Sequence, residues 1–184
     1  KRETARAGKQ TYSATGAEKS YGGKSKMARA FAGLLNQEAR ALEADGVDVI
    51  QFDEPAFNVF MDEVSGWGID ALHRAIDGLK CTTAVHICYG YGIKANIDWK
   101  NSLGGEWKQY EKIFPALAKS KLNQVSLEAT HSRVPMKLLS FLHDKHLLVG
   151  VIDVATAPTP TPSQVPPRFA RAKKSPPKER RHPP

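Results

Sequence analysis

Cysteine is scarce in this chain: there are two in 184 residues, Cys81 and Cys88. That excludes a disulfide-stapled scaffold. Reduced thiols in a cytoplasmic protein are the expectation, with a metal or catalytic use left open. Long apolar runs are missing too. No stretch approaches the roughly eighteen apolar residues of a membrane span, and the polar, basic N-terminus has no signal-peptide core. No glycine-rich phosphate loop follows an expected strand, and no nucleophile elbow is present. Phosphate-loop and serine-hydrolase chemistry therefore have no support.

The middle of the chain also lacks net positive charge, although the net charge of the whole is +8. Residues 1–26 carry seven Lys/Arg and two Glu, and residues 157–184 carry seven Lys/Arg and one Glu, which leaves about −3 for 27–156. That distribution argues against a basic face built into the fold, and with it against a specific nucleic-acid binder. The ends retain only a weak, salt-sensitive attraction for polyanions.

What is present is alternation. Met27, Phe31, Leu34, Leu35 and Leu42 mark a helix from about Lys26 that Gly46 stops. Ile69, Leu72, Ile76 and Leu79 mark a second, closing near Gly78. Trp107, Tyr110, Ile113, Phe114 and Leu117 mark a third, and Pro135 opens a short one with Leu138, Leu139 and Leu142. Short apolar strands fall between them near 47–53, 82–88, 123–128 and 147–154. The pattern predicts an α/β fold of parallel strands joined by helical crossovers, with both sheet faces covered. About four βα units amount to half of a (β/α)8 TIM-type barrel. A small open doubly wound sheet, a dimer that closes the barrel, and a fragment are the alternatives. Residues 1–25 read as loop or the remnant of an element, and 26–156 as the partial barrel. Residues 157–184 hold nine of the twelve prolines and read as a disordered Pro-rich basic tail.

Sites in parallel sheets form at the carboxyl ends of strands. Four sets of residues lie there. Asp53-Glu54-Pro55 ends the first strand, and its carboxylates suit a substrate ammonium group or simply a polar turn. His86 and Cys88 are two apart on a strand and face one side. Imidazole and thiolate are both good zinc ligands, yet a His in an interior network beside a small buried Cys gives the same pattern. Glu128 ends the next strand, before Thr130, His131, Ser132 and Arg133. Asp153 ends the last. Cys81, at the start of its strand, is expected at the opposite face of the sheet and structural. His73, His131, His143 and His146 read as loop or helix-surface residues.

"EARALEADGVDVIQFDEPAF", "VHICYG" and "VSLEATHSR", in this order and spacing, resemble the catalytic domain of cobalamin-independent methionine synthase, above all its short single-domain bacterial and archaeal members. The resemblance runs from roughly Tyr21 to Thr156. It implies a (β/α)8 barrel that binds Zn²⁺ and moves a methyl group to the homocysteine thiol, giving methionine. Carried over, the zinc ligands are His86, Cys88 and Glu128, and Asp53 binds the substrate amino group. No separate catalytic acid or base is implied. The methyl donor is a methyltetrahydrofolate or a methyl-corrinoid. The family's fourth ligand, a Cys in a C-terminal segment, and the first half of the barrel have no counterpart here. The resemblance thus implies a chain truncated at both ends, with a non-catalytic, pseudogene-like product as the alternative.

Overall fold

A computed structural model of the chain describes residues 3–7, 17–54, 57, 61–87, 110–129 and 134–152, with isolated residues 98, 101, 102, 163 and 170. Five parallel strands lie side by side in chain order: β1 (Glu3–Ala7), β2 (Val49–Asp53), β3 (Thr82–Ile87), β4 (Gln124–Glu128) and β5 (His146–Gly150). Sequential parallel order is how strands run around a (β/α) barrel, and the sheet is such a barrel in part. The predicted alternation holds, and four of the five strands fall where they were expected.

β1 is the addition. "ETARA" is short and has no apolar run, so nothing within it announces a strand. Its order comes from the ladder with β2, where Glu3 pairs with Val49 and Ala7 with Asp53. The expectation of loop or remnant for 1–25 is amended accordingly, and Ala17–Tyr21 adds a 3₁₀ turn. The Pro-rich span 157–184 lies outside the described residues apart from Ser163 and Ala170.

α1 (Lys24–Ala44) follows. Met27, Ala28, Ala32 and Ala39 are its buried positions, while Leu34 is 59% exposed. The small residues, more than the leucines, form the packing face. Gly46 ends the helix at a φ of 85°. Its N–H donates to Glu43 O, and the Val47 N–H reaches back to Leu42 O at 3.1 Å. This pairing is the Schellman arrangement, and it needs a residue that tolerates a left-handed backbone.

The second helical segment is interrupted. Met61–Glu63 leads into a π-helical turn over Val64–Gly68, and only then into α2 (Ile69–Ala75). The Ile69 N–H donates to Val64 O, five residues back. α3 (Tyr110–Ala118) buries Tyr110, Ile113, Phe114 and Leu117 and carries Pro115; Trp107 lies outside the described residues. The segment after Pro135 is a 3₁₀ helix, Met136–Leu142, with Pro135 capping it. Its leucines are buried as expected, but the Leu138 N–H bonds to Pro135 O, giving the tighter three-residue turn.

One expectation about packing is corrected. The helices cover one face of the sheet, against Ile50, Phe52, Thr83, Val85, Ile87, Val125 and Leu127, all buried. The other face carries Gln51, Asp53, His86, Gln124 and Ser126 half-buried, and His146, Leu148 and Gly150 exposed. The short apolar strands suggested two covered faces; alternate positions are in fact polar on one side.

The amino ends of the strands are tied by side chains. Asn123 Oδ1 accepts from Thr83 N–H at 2.8 Å and from its hydroxyl at 3.0 Å. Lys145 Nζ donates to Ser120 O and, at 2.8 Å, to Leu122 O. Glu43 Oε1 accepts from the N–H groups of Lys80 and Cys81, each at 2.6 Å. The Cys81 N–H is the main reason that the Glu43 carboxyl is held below its ordinary value of 4.5; burial opposes this, and the Lys80 N–H adds to it. A depressed folded-state pKa stabilises the protein above the unfolded value, and that contribution is lost as pH falls through the folded value. The stability gap between the wild type and Glu43→Gln, which keeps both hydrogen bonds but not the charge, should be full at neutral pH. It should close progressively below pH 4.5. Urea titrations across that range measure it, and a gap independent of pH would contradict the assignment.

Candidate functional site

The carboxyl ends of β2, β3 and β4 bring the predicted residues to one face. In the ladders Asp53 stands beside His86, and His86 beside Ser126. Neighbours paired in parallel strands share a face, so these three form a row across the sheet. Glu128 lies two residues beyond Ser126 on that face and is only 8% exposed. It pairs with Gly150 of β5, where an added Cβ would come within 3.1 Å of Leu127 O and 3.4 Å of Glu128 Cα. The missing side chain at 150 lets the β5 backbone approach β4 this closely.

Two hydrogen bonds orient the row. Gln51 Nε2 donates to Asp53 Oδ1 at 2.9 Å, from two residues earlier on the same strand. His86 Nδ1 and Ser126 Oγ are 2.9 Å apart. The Glu54 N–H donates to His86 O at 2.9 Å, which carries the β2–β3 ladder one step past Asp53. Glu54 itself is buried at this strand end.

Of the predicted ligands, His86 and Glu128 thus share a face with Asp53. Cys88 lies outside the described residues, as do Pro55, Asp153 and residues 130–133. Among the described residues no three His, Cys, Asp or Glu side chains cluster as a metal site. Two of the three proposed ligands are among those residues, so the test of fit rests on donor chemistry. Imidazole nitrogen and carboxylate oxygen, with a cysteine two residues from the histidine, make a set that suits zinc. With Nδ1 engaged by Ser126, the ring would bind through Nε2.

The opposite end of the sheet has a different character. A cavity of about 330 Å³ there is lined by His73, Lys80, Cys81, Lys121 and Asn123 among others. His73, expected on a surface, accepts the Lys121 N–H through Nε2 at 3.0 Å. The Cys81 thiol is pushed up to about 11, by burial first and then by Glu43. It stays protonated at neutral pH and is a poor ligand or nucleophile, in line with the structural role expected for it. The cavity, lined by residues at the amino ends of β3 and β4, is remote from the candidate chemistry.

Ser126 and Gln51 were not singled out from sequence. Each stands two residues before a carboxylate that was, Glu128 and Asp53 respectively. That spacing on a strand was the available signal.

Comparison with known proteins bears on all of this. The family model described as "Cobalamin-independent synthase, Catalytic domain" matches residues 7–182. A methionine synthase of Sulfolobus acidocaldarius is 33% identical over 129 residues, covering 70% of this chain and 32% of its own. One from Sulfurisphaera tokodaii is 30% identical over 146 residues, covering 79% and 37%. The solved structure of a B12-independent methionine synthase from Shewanella sp. W3-18-1, in complex with selenomethionine, is 58% identical, with a TM-score of 0.80 over 85% of this chain and 46% of that one. The chain spans about a third of the length of the curated relatives it matches. With the model matched over nearly its whole length, the chain belongs to the family of cobalamin-independent synthase catalytic domains.

Proposed function

We propose that this face of the sheet serves methyl transfer to the thiol of homocysteine, giving methionine, with Zn²⁺ held by His86, Cys88 and Glu128. The observation that carries the reading is the shared face of Asp53, His86 and Glu128 at adjacent strand ends. The name of the S. acidocaldarius relative and the selenomethionine bound to the Shewanella protein, an analogue of the methionine product, support it.

The chemistry calls for these residue types. A thiol is mostly protonated at neutral pH, while the thiolate is the nucleophile. Bound zinc would supply the Lewis acidity that lowers a thiol's pKa. Asp53, steadied by Gln51, is suited to hold the ammonium group of an amino-acid substrate. Holding that end fixes where the sulfur lies relative to a methyl donor. The donor is a methyltetrahydrofolate or a methyl-corrinoid, and presenting each to the zinc-loaded protein with homocysteine distinguishes them.

Zinc content of the purified protein, compared with Cys88→Ser, tests the metal assignment. The wild type should retain zinc through dialysis and the variant should lose it. Equal and negligible zinc in both would overturn the reading.

A further inference from the structure

The pairing of His86 with Ser126 has the geometry of an orienting contact. The two residues are direct neighbours in the β3–β4 ladder, and Nδ1 lies 2.9 Å from Oγ. Both side chains are only half-buried, so neither is forced into the bond by full removal from water. A neutral hydrogen bond in that setting adds little to folding. Its larger effect is on the ring. An imidazole carries one proton when neutral, and the partner of one nitrogen decides which nitrogen keeps it. A ring that binds metal through Nε2 must carry its proton on Nδ1, with an acceptor facing it.

We propose that Ser126 is a positioning residue: its Oγ accepts the His86 Nδ1–H, and so fixes the tautomer and ring plane in which Nε2 binds the metal. The inference rests on the zinc reading above. It gives β4 two duties, since the strand that presents Glu128 also orients the histidine of β3. The two-residue spacing from Ser126 to Glu128 is what puts both on the same face. An alanine at 126 removes the acceptor at Nδ1 and weakens the preference of the ring for that tautomer. A threonine keeps the hydroxyl and suits a strand.

The test uses the full chain as wild type, Ser126→Ala and Ser126→Thr. Nitrogen-15 correlation spectra of the His86 ring, recorded without metal at mildly alkaline pH, report the tautomer directly. Competition with a chromophoric chelator reports zinc affinity. The wild type should show the Nδ1–H tautomer. Ser126→Ala should show mixed or Nε2–H signals and bind zinc about 10–100-fold more weakly, with the metal-free thermal midpoint nearly unchanged. Ser126→Thr should restore both readouts. An Nε2–H tautomer in the wild type overturns the proposal, and so does a Ser126→Ala protein with unaltered tautomer and affinity. A wild type that binds no zinc would sink the metal reading instead, and the ring spectrum would still decide whether Ser126 sets the tautomer.

Discussion

Phe114→Ala should cost the protein about 3–5 kcal/mol of stability, the range for emptying a fully buried aromatic site. Phe114 is 0% exposed on α3, with its ring centroid 5.3 Å from that of Tyr110. It belongs to the core formed with Val85, Val125 and Leu139 between helices and sheet. Sheet and helices clamp the site from two sides, so the neighbours can collapse only in part and most of the cavity persists. Against a typical total of about 5–15 kcal/mol, the loss brings the protein near its unfolding threshold. Thermal unfolding should move down by roughly 10 °C or more for a chain of this size. Leu34→Ala is the control: Leu34 is exposed on α1, and its change should stay within about 0.5 kcal/mol. Equal effects of the two substitutions would contradict the one-sided core.

His86→Ala should abolish nearly all zinc affinity while leaving the fold intact. Loss of a partner that only orients a ligand costs about 10–100-fold, so loss of the ligand should exceed about 100-fold. His86 is half-buried on the polar face, and its removal opens no core cavity. Chelator competition on the refolded variant, beside its circular dichroism, separates the two effects. An unchanged affinity would remove His86 from the site. The ordering His86→Ala, then Ser126→Ala, then wild type is the expected ranking of affinities from weakest to tightest.

Strand and helix positions were legible in the sequence because each element has its own local period. Ile69 and Leu72 step by helical turns, and Gly46 and Gly78 punctuate where the backbone needs a positive φ. β1 was not legible, because "ETARA" has no apolar run and its ladder partner β2 lies more than forty residues away in the sequence. The 3₁₀ geometry after Pro135 and the π-turn at Val64–Gly68 were hidden for a related reason. Apolar spacing marks a helical face, but a shift of one residue in hydrogen bonding leaves that face nearly unchanged. Asp53, His86 and Glu128 were singled out by strand-end position together with the family resemblance, and the ladders set them on one face. Ser126 and Gln51 were not, since an ordinary polar residue on a strand becomes informative only once the register shows what lies beside it.

Asn123, Lys145 and Glu43 tie the chain together at the amino ends of β3–β5. The row of Asp53, His86 and Ser126 lies at the other ends. Such a separation matters for how the chain can change over generations. Under the proposed function, a mutation at the carboxyl ends alters what is bound while the ties made by Asn123, Lys145 and Glu43 stay in place. On that reading, substrate preference changes at one rim by small steps, while selection for folding acts mainly on the other.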